Sequence, residues 1–460
     1  MSSLLPTELK IAILDRLQGD ARTLSAVSLT AHHWLLPAQS ALFSHLTLQQ
    51  SQVHGFAEFI RLEEHRHLAE EVVRLQLKAD KAAGWDGAPL SDLIDLRVLL
   101  PNLQSLILDG VILNDENLVP GSAHPCDTVE VDNTSFLGTT FPVFVNTFAG
   151  RVLSVNHLLC PMLQSIYGYS DSGQVNEASW IRASSLASLR SLNIGVVHLT
   201  ALKFGQEGSE TWPHYLLRMC EGGELRSLGV KCDMNDRHDR EKLHEFLTTK
   251  ARNLEHLRID YAGGVVHFSG PHAALVRDET GQDGFGGIPA IWPSIDLSKT
   301  CPSLLTLTLI LTLDYTSPHH PTDSVLIWRH ALRLIATAPR ASLRLLTIGV
   351  PENPFENVQY QVAAARGTPM VTTLQRVDWG KWEEVLMGVL DFGEGEGDGD
   401  GVVGVEIGEL RSFDERKVYG PGQRTIWSGE LETFVREKLS GLDKRGLVRV
   451  FHVDRPGSGL

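Results

Sequence analysis

The sequence predicts an α/β chain: a small N-terminal three-helix domain, then an irregular solenoid whose short strands stack into a parallel sheet. Three observations predict it. Roughly the first forty residues carry apolar residues at helical spacing. A Leu-x-x-Leu-x-Leu/Ile pattern then returns along most of the chain. Helix-like segments lie between several of its copies. The expected domains are 1–48 and 49–455.

The opening segment reads Leu4-Leu5-Pro6-Thr7-Glu8-Leu9, then Ile13-Leu14 and Leu17. Pro6 suits a first helical turn, where a missing N–H costs nothing. Glu8 places negative charge at the positive end of the helix dipole. Leu9, Ile13 and Leu17 recur at four-residue steps and form one stripe, which Leu14 widens. Ile11 falls on roughly the opposite side, and Gly19-Asp20 ends the helix. A second helix carries Leu24, Val27 and Leu29, and a third starts near Trp34 and runs toward Leu42-Phe43. Three helices this short have little interior. Apolar residues on more than one side therefore imply cover from a partner or from the next domain.

The pattern Leu5-Pro6-x-Glu8-Leu9-x-x-x-Ile13-Leu14-x-x-Leu17, followed by Leu24, Val27-Ser28 and Trp34, resembles an F-box. It is similar to the divergent F-boxes of filamentous and mushroom-forming fungi. Pro37-Ala38 to Leu42-Phe43 and Leu46-Thr47-Leu48 resemble the way out of that domain. His32-His33 depart from it, standing where the family usually has a cysteine and a basic residue. The resemblance implies that Leu5, Pro6, Leu9, Ile13, Leu14, Leu17 and Trp34 bind a Skp-type adaptor, which links to a cullin ubiquitin ligase. The alternative is a plain helical cap closing a repeat domain.

A helix from about Val53 to Glu71 is expected next, with Phe56, Phe59-Ile60 and Leu62 on its apolar side. Val72 to Leu77 then alternates like a strand. The clearest copies of the repeat are Leu100 to Leu108, Leu186 to Ile194, Asn253 to Ile259, Cys301 to Leu307 and Ser342 to Ile348. Others are Cys160 to Ile166 and Glu224 to Leu228, with weaker versions at Val129 to Val131 and Thr373 to Val377. The pattern resembles the strand half of a leucine-rich repeat, in which inward residues of one unit stack on those of the next. Spacing of the leading leucines is uneven and often exceeds the regular period of about 20–29 residues. Helices at Trp212 to Met219, Arg240 to Lys250 and Ser324 to Ala336 are expected to fill the gaps. An unrelated α/β sheet with helices on one side is the alternative architecture.

Two insertions interrupt the pattern. Residues 263–293 are rich in Gly, Pro and His, and residues 391–401 alternate acids with glycine; both are expected to be flexible. Val402 to Ile407 reads as a late strand, and Thr425 to Leu439 with Gly446 to Val453 as a helix and an edge strand. Arg455 to Gly459 is expected to fray.

Composition sets bounds on function. The 460 residues are 42% hydrophobic and 21% charged, within the globular range. A net charge of −15 argues against nucleic-acid and anionic-membrane partners. Cys126, Cys160, Cys220, Cys232 and Cys301 are odd in number and contain no C-x-x-C, so neither a disulfide framework nor a zinc site is expected. Cys160 and Cys301 read as small core residues. Met1-Ser2-Ser3 does not open like a signal peptide. Leu304 to Leu313 is too short for a membrane span and reads as a buried strand. A cytoplasmic or nuclear location is expected.

Catalytic motifs are weak throughout. The acidic glycine run lacks the ligand order of an EF-hand. Gly284-x-Gly286-Gly287 lacks the Lys-Ser/Thr of a P-loop, and Gly168-x-Ser170 lacks the second glycine of a nucleophile elbow. His32-His33 and His319-His320 are adjacent, so their side chains diverge. Trp379 and Trp382 read as core residues beside a helix with Val385-Leu386. The reading is therefore of a non-enzyme without metal or cofactor. It pairs a Skp-type adaptor and cullin complex with an unspecified protein substrate held by the solenoid. A repeat scaffold without any ligase link is the runner-up reading, and an enzyme on an α/β fold is the third, against which the lack of a nucleophile, metal or phosphate motif weighs.

Overall fold

A computed structural model describes residues 5–17, 20–80, 87–115, 123–137, 140–159, 186–194, 197–198, 217, 220, 224–231, 237–261, 295–311, 322–351, 377–390, 404–410 and 428–451. The copy at Cys160 to Ile166, both insertions, most of Trp212 to Met219, most of Thr373 to Val377, and Arg455 to Gly459 lie outside the described residues. So do Cys232, the glycine motifs at 168–170 and 284–287, and His319-His320. The chain is α/β and forms two compact units, Met1–Leu189 with Val197–Glu207, and Arg190–Val196 with Gly208–Leu460.

The first unit opens with α1 (Thr7–Arg16), α2 (Ala21–Thr30) and α3 (His32–Ser44). Pro6 precedes α1 instead of lying in its first turn, and its carbonyl accepts the Leu9 and Lys10 N–H groups at 3.1 Å. Strand β1 (His45–Gln49) comes next, then α4 (Val53–Arg61), α5 (Arg66–Glu71) and β2 (Arg74–Lys78). The single helix expected over Val53 to Glu71 is thus broken. Leu62 is extended (φ −65°, ψ 131°) and a 3₁₀ turn spans Glu63–His65. The buried stripe is Val53, Ala57 and Ile60; of the side expected to be apolar, Ile60 is buried and Phe56 half-buried, while Phe59 and Leu62 are exposed.

The unit continues through β3 (Ala88–Pro89), α6 (Leu90–Leu99), β4 (Ser105–Asp109), β5 (Ile112–Asn114), β6 (Thr128–Phe136), α7 (Thr140–Phe148) and β7 (Val152–Leu159). Strand β8 (Ser191–Ile194) belongs to the second unit, while β9 (Val197–His198) pairs with β7 in the first. Strands β1, β2, β4, β6 and β7 pair side by side, all parallel. Their register aligns Leu46, Leu75, Leu106, Val129 and Leu153 in one row, and Leu48, Leu77, Leu108, Val131 and Val155 in a second. Helix α7 has no counterpart among the elements expected from the sequence. Phe141, Phe144 and Phe148 join Phe136 with ring centroids 5.0–5.2 Å apart along the chain of contacts.

Arg97 of α6 ties this unit together. Its guanidinium donates to the carbonyls of Leu100 (2.7 Å), Pro125 (3.0 Å) and His124 (3.1 Å). Gly150 is needed just before β7, because a Cβ there would lie 2.0 Å from the Cys126 carbonyl oxygen.

The second unit adds β10 (Ser227–Lys231), α8 (Arg237–Thr249), β11 (His256–Asp260), α9 (Leu297–Thr300), β12 (Thr306–Ile310), α10 (Thr322–Ala336) and β13 (Leu345–Pro351). It ends with α11 (Trp379–Leu390), β14 (Gly404–Leu410), α12 (Ser428–Lys438), α13 (Ser440–Lys444) and β15 (Val448–Phe451). Strands β8 and β10 to β15 succeed one another in parallel. One apolar row runs Leu192, Leu228, Leu257, Leu307, Leu346, Val405 and Val448. A second runs Ile194, Val230, Ile259, Leu309, Ile348, Ile407 and Val450. The expected strand inside Leu304 to Leu313 is β12, and the expected terminal helix and edge strand are α12 and β15.

Several strands begin in the same way. A buried residue three positions before another buried one closes a tight turn: Leu103 N–H bonds Leu100 O at 3.3 Å, Leu254 bonds Ala251 at 3.0 Å, and Leu304 bonds Cys301 at 3.1 Å. The turn stands just ahead of the Leu-x-x-Leu-x-Leu/Ile pattern and closes on its first leucine.

Trp379 and Trp382 pack in the core, as read from the sequence. Both sit within 5.6 Å of Trp328 on α10, centroid to centroid, and Phe434 of α12 lies 5.7 Å from Trp379. The Glu383 carboxylate accepts the Gly441 N–H at 2.6 Å, which anchors α13 on α11.

Leu307→Ala, at the centre of the first apolar row, is expected to cost about 2–5 kcal/mol. Thr308→Ala, on the other face of the same strand, should cost less than about 1 kcal/mol. Denaturant titration followed by circular dichroism measures both.

Candidate functional site

The candidate surface is built from α1, α2 and α3. Their shared core is small: Leu14, Leu24 and Ala38 are buried, with Leu17, Val27, Trp34, Ala41 and Leu42 packed around them. The helical repeat explains which residues turn inward. Lys10, Leu14 and Leu17 succeed one another at steps of four and three, so they line one stripe. Leu14 is 2% exposed, and Lys10 lies beside Trp34 with its ammonium 5.9 Å from the ring centroid.

The stripe of Leu9, Ile13 and Leu17 expected from the sequence is therefore divided. Leu9 is 51% exposed and Ile13 43%, while Leu17 is half-buried against the core. Leu5 and Pro6 are exposed, Leu14 is internal, and Trp34 is half-buried with its ring in the core cluster. The seven candidate residues thus fall into an outward set, Leu5, Pro6, Leu9 and Ile13, and an inward set, Leu14, Leu17 and Trp34. The physical reason is the helical angle. Leu9 and Ile13 lie on one flank of the buried stripe and Ile11, 50% exposed, on its other flank.

Two further surface residues escape the sequence reading. Leu36 on α3 is not singled out by it, and Leu29 on α2 is placed on a helix without a direction; both are strongly exposed. The Leu35-Leu36 pair is a usable signal, since one of two adjacent apolar residues on a short helix must face away from a small core.

The three helices are tied to the chain beyond them. Ser40 Oγ donates to Glu71 Oε2 at 2.6 Å, joining α3 to α5. Helix α2 is capped by Asp20, whose carboxylate accepts the Thr23 hydroxyl at 2.6 Å and the Thr23 N–H at 3.0 Å. The Thr23 hydroxyl, and after it the Thr23 N–H, hold the Asp20 carboxyl below its ordinary pKa.

Cysteine chemistry is not available at the described positions. Burial pushes the Cys220 thiol up to about 12 and Cys301 up to about 11, and raises Cys126 as well, so none is a thiolate at neutral pH. Among the described residues no cluster of three His, Cys, Asp or Glu side chains is placed to hold a metal ion. Among them, too, no helix is long and apolar enough to cross a membrane. No protein-family model matches the chain, and no curated protein matches it.

Leu14→Ala is expected to cost about 2 kcal/mol or more, and Leu9→Ala within about 0.5 kcal/mol, as measured by hydrogen exchange in α1 to α3. A second expectation concerns acid. The lowered Asp20 pKa makes its contribution complete above the ordinary carboxylate value of about 3.9. It is lost as pH falls through the lower folded-state value. The protection of the Thr23 amide, relative to its intrinsic exchange rate at each pH, should therefore fall in acid, and Asp20→Asn should flatten that response.

Proposed function

We propose that this chain is the substrate-recognition subunit of an SCF-type cullin ubiquitin ligase. Its N-terminal helices act as an F-box and bind a Skp-type adaptor. Its stacked parallel strands act as an irregular leucine-rich-repeat-like solenoid that holds a protein substrate. The role is non-catalytic and belongs to the cytoplasm or nucleus. Two linked binding surfaces raise the local concentration of substrate at the ligase.

One observation carries the reading: Leu5, just ahead of α1, and Leu9, Ile11 and Ile13 on it are all more than two-fifths exposed. Aliphatic side chains concentrated on one exposed helix mark an interaction surface. The F-box resemblance supplies the adaptor as the partner. Support for the repeat half comes from the two apolar rows and from the turn that precedes several strands.

A second reading has its own observation. Leu14, Leu17 and Trp34 face inward, and Ser40 ties α3 to α5. Under that reading the helices only cap a repeat scaffold with no ligase link.

Adaptor capture separates the two. The full-length tagged chain is co-purified with a Skp-type adaptor beside the double variant Leu9→Asp/Ile13→Asp. These positions are exposed, so the variant should melt with the parent while capture falls by about tenfold or more. An intact chain that captures no adaptor ends the ligase proposal.

A further inference from the structure

One tetrapeptide recurs at the entry to neighbouring strands of the second unit. Leu189-Arg190-Ser191-Leu192 enters β8 and Leu225-Arg226-Ser227-Leu228 enters β10. The two lie side by side, since Ser191 pairs with Ser227 and Leu192 with Leu228. The same entry position is held by Glu255 before β11, Leu305 before β12 and Arg344 before β13. At each step one carbonyl accepts two N–H groups from the next strand. Arg190 O takes Arg226 and Ser227 at 2.8 and 2.9 Å, Arg226 O takes Glu255 and His256, Glu255 O takes Leu305 and Thr306, and Leu305 O takes Arg344 and Leu345. The entry positions thus form a fixed row that reads Arg, Arg, Glu, Leu, Arg.

The charges of this row do not cancel. Arg226 forms an ion pair with Glu255 at 3.2 Å. Arg190 and Arg344 are exposed, and among the described residues neither guanidinium has a hydrogen-bond or ion-pair partner. The first unit holds Ser44, Val73, Gln104, Asp127 and Arg151 at its entry positions, which carry no net charge. A local positive row therefore stands out in a chain whose net charge is −15.

Resting on the reading of this unit as the substrate-holding part, we propose that Arg190, Arg226 and Arg344 receive an acidic, extended segment of the substrate protein. Guanidinium groups match carboxylates in a two-point fork. Neighbouring strands stand about 4.8 Å apart, so Arg190 and Arg344 are separated by four strand steps, about 19 Å. An extended chain rises about 3.3 Å per residue, so the segment presents acids about six residues apart. A nucleic acid is a poorer fit. Its long phosphate backbone meets the negative field of the whole chain, whereas a short segment meets only the row.

The test uses the full-length chain and a fluorescein-labelled Gly/Ser peptide of about twelve residues with glutamate pairs about six residues apart. A glutamine counterpart is the control, and anisotropy is the readout. The glutamate peptide should bind about tenfold tighter or more, and added salt should weaken it. Arg190→Glu/Arg344→Glu should remove that preference, with Arg190→Gln/Arg344→Gln as the milder variant and circular dichroism showing that both fold. Glu255→Gln, which frees Arg226, should tighten binding a few-fold, an effect no merely structural role gives. Equal binding of the two peptides overturns the proposal. So does binding that is indifferent to the Arg190/Arg344 variants, or tighter Arg-dependent binding of single-stranded RNA or phosphatidylserine vesicles. Adaptor capture is read separately: peptide binding without capture removes the ligase reading and leaves the acidic-segment surface standing.

Discussion

The register of two apolar rows is the constraint on which the rest of the structure depends. A single strand such as β12 turns Leu307 and Leu309 to one face and cannot bury them alone. Set in register with β11 and β13, those residues meet Leu257 and Ile259 on one side and Leu346 and Ile348 on the other. Burying each such side chain stabilises by about 1.5–3 kcal/mol. A slip of one residue would turn every one of them to the opposite face. The turn before β4, β11 and β12 protects against that slip, because its i→i+3 bond sets where the strand begins.

The same logic explains why the N-terminal helices differ from the body. Their aliphatic residues belong to neither stacked row. Their core has three buried members, and the apolar side chains of α1 other than Leu14 stay in water. Covering Leu5, Leu9, Ile11 and Ile13 with a partner would recover part of about 1.5–3 kcal/mol for each. That gain is set against the entropy of association. The two are of similar size, so capture depends on how closely a partner fits these side chains.

How much of this is legible in the sequence depends on which residues carry local instructions. The strands are, because the leucines after the first in Leu-x-x-Leu-x-Leu alternate along the strand itself; β4, β11, β12 and β13 fall where it stands. The Trp379–Trp382 packing is legible from its helical setting. The inward side of α1 is not, since Leu9, Ile13, Leu14 and Leu17 form an apolar arc too broad to have one centre. Packing against Leu24 and Ala38 chooses Leu14. The break at Leu62 is hidden too, for nothing in Arg61-Leu62-Glu63 disfavours a helix locally. The Arg97 clamp on three carbonyls joins residues up to 28 apart in sequence, so no local pattern announces it.

The entry row shows how a repeat made for packing also makes a binding surface. Leu189 and Leu192 serve the core, and Leu225 and Leu228 repeat them one strand on. The residue between turn and strand is left outside, free of any packing duty. At Arg226 and Arg344 the backbone is nonetheless fixed, because the carbonyl one strand back holds two N–H groups at once. An arginine there starts from a rigid base and loses only side-chain freedom when it binds, and a row of them is spaced by the sheet itself. Both global and local charge act only within a Debye length of about 8–10 Å. A long polyanion runs past the row and comes that close to the acidic remainder of a chain of net charge −15, whereas a short segment meets the row's own arginines. A short acidic segment is the partner that satisfies both conditions.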